Sequence, residues 1–339
     1  QTTPTPGTAS NTANLTVVAA PTISKAFAPN AIVVGQTSTL TISINNSNTG
    51  TTLTGVTFTD TLPAGISTPD TTVPGCGGGT LTISSNVITL TNGSIAPTGT
   101  CMLPVTVTGV QAQASPWVNT ISSVTSTEGG TSSTPATANI TVTAANTTTT
   151  INSDSPDPSV VGQPYTVAVT VAASVPGGGT PTGTVNVNDG TGGTCVVTLS
   201  GGTGSCNLTS TSAGAKTLTA TYVSTTNYNT SNGTATHQVS KADTTTAITG
   251  DTPDPSNPGQ AVAVTFTVTP VSPGAGTPTG NVTVSDGVNS CTGTVAAGTC
   301  NITLTTPGAR TLTATYASDS NFNGSTSAGV PHQVATPPT

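Results

Sequence analysis

A domain-length stretch of this chain is written twice. Residues 148–169 (TTTINSDSPDPSVVGQPYTVAV) return as residues 245–266 (TTAITGDTPDPSNPGQAVAVTF). Pro181-Thr-Gly183 and Asp189-Gly190 recur as Pro278-Thr-Gly280 and Asp286-Gly287. The six residues TLTATY are identical at 217–222 and 311–316, and His237-Gln-Val239 answers His332-Gln-Val334. Self-similarity at a fixed period marks a tandem array, here two copies of a unit of about 95 residues.

The residues inside these units read as strands. Thr37–Ile44, Val56–Thr59 and Val105–Thr108 each alternate a hydrophobe with a hydroxyl residue. That is the period-2 pattern of a strand buried on one face and wet on the other. Gly, Pro, Asn and Asp clusters such as Leu62-Pro-Ala-Gly65, Cys76-Gly-Gly-Gly79 and Asn92-Gly93 punctuate them. Thr makes up about a quarter of the 339 residues. Its branched side chain suits a pleated sheet, its hydroxyl hydrates the outer face without charge, and Thr pairs with Thr across strands. Short strands between frequent turns predict β-sandwiches, and no helix is predicted anywhere.

Charge settles what the chain does not do. Only 4% of residues are charged, with 4 basic and 11 acidic, for a net charge of −7. So few cations cannot neutralise phosphates, which argues against a nucleic-acid partner. No apolar run reaches the length of a membrane-spanning helix. Few charges also guard sheet edges, so pairing between chains is poorly discouraged.

The six cysteines fall as near pairs: Cys76 with Cys101, Cys195 with Cys206, and Cys291 with Cys300. One pair per hundred-residue stretch reads as one disulfide per domain, and disulfides persist in oxidising compartments. Gln1 is not preceded by a basic or apolar leader, so any secretion signal is expected to be already removed or to lie outside this sequence.

A further repeat lies at the N-terminus. Thr12–Ala20 (TANLTVVAA) matches Thr137–Ala145 (TANITVTAA) at seven of nine positions. The second copy stands where the last strand of a domain belongs, so the first resembles a last strand without its domain. Three readings stay open: the remnant of a preceding domain in a longer array, a donor strand that augments a neighbouring subunit, or a strand folding back on its own domain. The donor reading uses Ala13, Leu15 and Val17 as one apolar face. Against it, the following domain already has a last strand of its own.

Candidate chemistry is thin. His237 and His332 are repeat equivalents with no private environment, and a structural role is expected for both. No nucleophile elbow is present, and no catalytic residue or cofactor site is assigned. Asp154, Asp157, Asp251 and Asp254 sit in Pro-Asp-Pro turns. Two carboxylates with carbonyls could begin a calcium site, but calcium takes six to eight oxygens, and a rigid turn shaped by proline is the favoured reading. An intramolecular isopeptide cross-link needs a Lys, an Asn or Asp, and a nearby acid. Lys25 is the one candidate lysine of the first domain and Glu128 the one Glu of the chain, and this pairing is disfavoured. Trp117, Tyr222 and Tyr316 read as core; Tyr228 and Phe322 in Asn-aromatic-Asn turns are the best exposed candidates for carbohydrate, though turn aromatics packing on their own sandwich is the favoured reading.

Residues 22–143 resemble a bacterial surface-protein repeat of unknown function, through Ile23-Ser-Lys-Ala-Phe27, Gly35-Gln-Thr-Ser-Thr-Leu-Thr-Ile42, Asp60-Thr-Leu-Pro-Ala-Gly65 and Cys76-Gly-Gly-Gly79. Residues 147–335 are similar to two bacterial Ig-like repeats of the kind found in tandem in very large surface proteins, through Gly162-Gln163, Pro181-Thr-Gly183, Asp189-Gly190 and Thr217–Tyr222. The resemblance implies a fold and a setting, and says little of activity. Some relatives carry a C-terminal sorting tail, which Pro337-Pro-Thr339 does not supply.

The expected molecule is all-β: tandem Ig-like antiparallel β-sandwiches with an added N-terminal strand segment. Its expected parts are an extension at 1–20, a surface repeat at 21–144, Ig-like repeats at 145–241 and 242–335, and a tail at 336–339. It is expected to be a non-enzymatic structural subunit, secreted to the exterior or surface of a bacterium. There it would polymerise with itself by strand addition. The alternatives are an adhesin for a host or matrix ligand and a passive stalk segment of a larger surface protein.

Overall fold

The structure is a computed structural model that describes residue 7 and residues 15–336. Among these residues every regular element is a strand except the single 3-10 turn Cys76–Gly78, and no helix is long and apolar enough to cross a membrane. The chain divides into two compact units. Of the described residues, the first holds those up to 145 with 174–179 and 226–228, and the second holds 146–173, 180–225 and 229–336.

The first unit shows why alternation makes sheets. Along strand Thr37–Asn45, Leu40, Ile42 and Ile44 are wholly buried while the hydroxyl residues between them are not. Each such side chain taken from water contributes roughly 1.5–3 kcal/mol. This strand pairs antiparallel with Thr22–Ala28 on one side and Thr100–Gly109 on the other. A second sheet runs Trp117–Ile121, Ala136–Thr143, Ala31–Val33, the last pair parallel. A third, of six strands, is built around Leu53–Thr61 and Val87–Ile95. Thr120 and Thr137 face each other across the second sheet, with hydroxyls 3.1 Å apart.

The second unit holds the two written copies as two sheet pairs. In the first copy, Thr147–Ser155, Pro164–Ala173 and Thr203–Thr209 make one sheet. Ser159–Val160, Ser231–Ser240, Gly214–Tyr222, Gly183–Asn188 and Thr194–Leu199 make the other. The second copy repeats the order with Thr244–Thr252, Ala261–Pro270 and Thr299–Thr303 opposite a sheet centred on Gly308–Tyr316. Residues of both its sheets, among them Val264, Phe266, Ile302, Val284, Leu312 and Tyr316, join in one buried cluster. These are tandem Ig-like β-sandwiches.

The Gly-Gln signature has a geometric cause. Gly35, Gly162 and Gly259 all sit at positive φ (84°, 79° and 81°), where a Cβ is strained. The following Gln closes the turn with its side chain: Gln36, Gln163 and Gln260 accept from the amides of Val33, Val160 and Asn257 at 3.2, 3.0 and 2.9 Å.

Three disulfides are formed: Cys76–Cys101, Cys195–Cys206 and Cys291–Cys300. In each Ig-like copy the bridge joins a strand of one sheet to a strand of the other, Thr194–Leu199 to Thr203–Thr209 and Ser290–Thr294 to Thr299–Thr303.

Candidate functional site

The most developed polar sites of the second unit surround the two histidines. Strand Ser231–Ser240 turns the side chains of His237 and Val239 inward in alternation, which takes the imidazole out of water completely. The end of strand Thr147–Ser155, the turn after it and the start of strand Ser159–Val160 bring three partners to it. Nδ1 lies 2.7 Å from Asp154 Oδ2 and 3.5 Å from Asp157 Oδ1, and Nε2 lies 2.8 Å from Ser159 Oγ. Asp157 Oδ1 also accepts the backbone amide of Gln238 at 2.9 Å. The second copy repeats the cluster: His332 Nδ1 is 2.6 Å from Asp251 and 3.6 Å from Asp254, and Nε2 is 2.9 Å from Ser256.

A carboxylate only accepts, so the Nδ1 facing Asp154 carries the hydrogen, while Nε2 shares a hydrogen bond with the Ser159 hydroxyl. The order Asp-His-Ser is that of a hydrolytic triad. However, Ser159 and Ser256 are each only 1% exposed, so no substrate carbonyl reaches either hydroxyl. What the arrangement can do is hold the Pro-Asp-Pro turn, the short strand at Ser159 and the last strand of the copy together through one ring.

For a cation, the available ligands are Asp154, Asp157 and His237, or Asp251, Asp254 and His332, with ligand atoms within 4.8 Å of one another. Two carboxylate oxygens and one imidazole nitrogen fall short of the six to eight oxygens that calcium takes. A metal would also have to displace the Nδ1–Asp bond. Asp157 and Asp254 lie in the turns as expected, whereas Asp154 and Asp251 lie on the strands Thr147–Ser155 and Thr244–Thr252, and the sequence reading did not bring the histidines to any of them. The signal was present, since each His stands in phase with the apolar Val two residues later.

The other expected positions sort differently. Tyr222 and Tyr316 are core, at 0% and 1% exposure. Tyr228 and Phe322, the candidates for exposed aromatics, are instead buried at 7% and 3%, in line with the favoured reading of turn aromatics packed on their own sandwich. Tyr228 donates to the carbonyl of Gly178, and Phe322 lies against Gly276. Trp117, expected in the core, is only half-buried. It lies over Gly65, where an added Cβ would come within 2.0 Å of the ring. Of the N-terminal face, Ala13 lies outside the described residues, and Leu15 and Val17 are 88% and 80% exposed in a segment without strand pairing. That segment is tied down two residues later. The Asn48 amide accepts from Ala19 N at 2.8 Å and donates to Ala19 O at 2.9 Å.

The second unit also has a cavity of about 380 Å³, lined by Val161, Gly162, Ala275, Gly276 and Phe322 among others.

Residues 21–142 match a family described as a domain of unknown function (DUF7933). Residues 151–240 and 248–335 match the bacterial Ig-like domain (group 3). No curated protein matches the sequence. Similar solved structures include FdeC, an Escherichia coli adhesin, at 14% identity and a TM-score of 0.29, covering 95% of this chain and 100% of that one. BcpA, the major pilin subunit of Bacillus cereus, is similar at 12% identity and 0.29, covering 65% and 66%. The I67–I69 fragment from titin is similar at 11% and 0.34, covering 94% and 99%. Two matches that together span more than half of its residues place the chain in the bacterial Ig-like domain (group 3) family, behind a domain of unknown function.

Proposed function

We propose that this chain is a non-enzymatic structural subunit of a bacterial extracellular or cell-surface filament, assembled by strand addition through its N-terminal segment. One observation carries the reading. In the second copy of the repeated nonapeptide, Ala138, Ile140 and Val142 are the inward residues of strand Ala136–Thr143, at 9%, 0% and 0% exposure. Leu15 and Val17 stand in the same register as Ile140 and Val142 and are almost fully exposed. A sequence that makes a core strand in one place thus leaves Leu15 and Val17 without cover in the other.

Strand addition supplies what they lack: main-chain hydrogen bonds for affinity and pockets for alternate side chains. Burying Leu15 and Val17 would contribute roughly 1.5–3 kcal/mol each. The surface repeat would carry the joint and the two Ig-like repeats the shaft or its decoration. Three disulfides suit an oxidising exterior.

A second reading, a stalk segment of a larger surface protein, is favoured by a different observation. The place that such a strand takes in the first unit is filled by Ala136–Thr143 itself, between Trp117–Ile121 and Ala31–Val33. Negative-stain electron microscopy of the chain, beside a variant lacking residues 1–18, separates the two. Filaments from the full chain alone support the subunit; single particles in both samples overturn it in favour of the stalk.

A further inference from the structure

Three polar side chains of the first unit stand where the strand pattern calls for core residues. Lys25 is in phase with Ile23 and Phe27, Asp60 with Val56 and Phe58, and Asn119 with Ile121. Their strands, Thr22–Ala28, Leu53–Thr61 and Trp117–Ile121, belong to three different sheets. The side chains of Lys25 and Asp60 are wholly buried, and Asn119 is 1% exposed.

They meet in a closed ring of contacts. Lys25 Nζ donates to Asn119 Oδ1 at 2.5 Å and to Asp60 Oδ2 at 2.6 Å. Asn119 Nδ2 donates to the other oxygen of the same carboxylate, Asp60 Oδ1, at 2.7 Å, and to the carbonyl of Thr61 at 3.1 Å. An amine, a carboxamide and a carboxylate that bridges the two are thus held together away from water. A lone buried ion pair is a poor use of one of the chain's four cations, because desolvation offsets most of the attraction.

We propose that this ring is an autocatalytic cross-linking site, in which Lys25 and Asn119 join in an intramolecular isopeptide bond and Asp60 moves the protons. The ammonium cedes one proton to Asp60 Oδ2. The freed lone pair of Nζ attacks Asn119 Cγ, and the carbonyl π electrons move onto Oδ1. As Nζ gives up its second proton to Asp60, the carboxyl delivers one to Nδ2. The Cγ–Nδ2 bond then breaks, its electron pair leaving with nitrogen, and the carbonyl re-forms. The products are a secondary amide between Lys25 and Asn119, a protonated Asp60 and one ammonia. No oxidant, reductant or co-reactant enters.

Position is most of the catalysis, since the reacting groups already touch in a dry site. Burial draws the Lys25 amine below its ordinary value despite the hydrogen bond and charge of Asp60, which brings the neutral, nucleophilic form within reach. The bond would tie residues 94 positions apart and fasten the first strand of the unit to a strand of another sheet.

Mass spectrometry of the full chain, reduced and denatured, is the test. The chain is expected to weigh one ammonia less than its sequence, with the deficit mapped to a linked peptide pair containing Lys25 and Asn119. Mapping is essential because a terminal Gln1 also loses ammonia when it cyclises. Trypsin is expected to spare Lys25, whose acylated Nζ it does not recognise, while cutting at Lys216 and Lys241. Asn119→Asp, which keeps the shape of the site, is expected to lose one water in place of ammonia. Asp60→Asn is expected to restore cleavage at Lys25. Complete tryptic cleavage after Lys25 in the unfolded wild-type chain, with a free Asn119 peptide, overturns the proposal without recourse to any variant.

Discussion

Arg310 grips Asp286 with two nitrogens, Nε at 2.8 Å and Nη2 at 2.7 Å, both on Oδ2. The same two positions of the preceding copy hold Lys216 and Asp189, and these do not pair. Lys216 donates instead to Ser212 at 2.7 Å. Asp189 Oδ2 takes the hydroxyl of Ser210 at 2.6 Å, and Ser210 in turn lies 3.0 Å from the hydroxyl of Tyr165. In the last copy Val262 and Leu304 replace Tyr165 and Ser210, both fully buried. One copy satisfies its buried aspartate with a hydroxyl chain, the other with a guanidinium, and the neighbouring residues have changed together.

The substitution Ser210→Ala is therefore expected to strand both Asp189 Oδ2 and the Tyr165 hydroxyl, at a cost of about 1–3 kcal/mol. Adding Tyr165→Phe, which keeps the ring stacked on His237, is expected to recover part of that loss, because one orphaned group is then gone. A double-mutant cycle by urea denaturation measures the coupling, and independent, additive losses would contradict the chain of contacts.

Asp319 gives the last copy an acid limit of its own. Burial pushes its carboxyl up, but hydrogen bonds from Asn321 N, from Thr279 Oγ1 and N, and from Phe322 N outweigh it and hold the group at about 2, against 3.8 ordinarily. A depressed carboxylate adds stability that is whole above the unfolded value and is lost as pH falls through the folded one. The Tm advantage of wild type over Asp319→Asn is thus expected to be constant near neutrality. It should shrink between pH values of about 4 and about 2. Thr225 occupies the equivalent place in the first copy, so that copy has no matching transition.

The histidine clusters predict a null response to chelation and a large one to substitution. Asp154 and His237 already satisfy each other, so EDTA is expected to leave the Tm unchanged. His237→Ala strands Asp154 and Ser159 and removes the ring stacked on Tyr165 at 3.8 Å, costing about 3 kcal/mol. The equivalent change at His332, where Val262 replaces the stacking Tyr165, is expected to cost less. A Tm lowered by EDTA in the unsubstituted chain would return the clusters to the metal reading.

Much of the fold was legible because period-2 alternation and a written repeat are local signals. Leu40, Ile42 and Ile44 announce their own burial, and Gly162 announces its turn. The sites were less legible because their partners are joined only by folding. Asp60 and Asn119 are 35 and 94 residues from Lys25, and no local pattern ties them to it. Glu128, the acid that stands out in the sequence as the one Glu, is an exposed residue that binds Thr54 through its backbone amide and hydroxyl. Yet Lys25 between Ile23 and Phe27 already breaks the apolar phase of its strand, and a break of that kind is readable in the bare order of residues. Tyr228 and Phe322 were legible as turn aromatics that pack on their own sandwich: despite their Asn-flanked turns, the rings lie against Gly178 and Gly276.

The disulfides supply the last prediction. By loop-closure entropy a bridge restrains the unfolded chain more as its loop grows. Cys76–Cys101 spans 25 residues, against 11 and 9 for Cys195–Cys206 and Cys291–Cys300. Opening the first is expected to cost about 3.5 kcal/mol, and either of the others about 2.7 kcal/mol. Burial does not set the order, since Cys300 of a short-loop bridge is buried, as Cys76 is. Paired Cys→Ser variants, compared by calorimetry at one scan rate, check the order. If the short-loop variants lose as much stability as the Cys76/Cys101 variant, the bridges act through native contacts between the sheets and the entropic account fails.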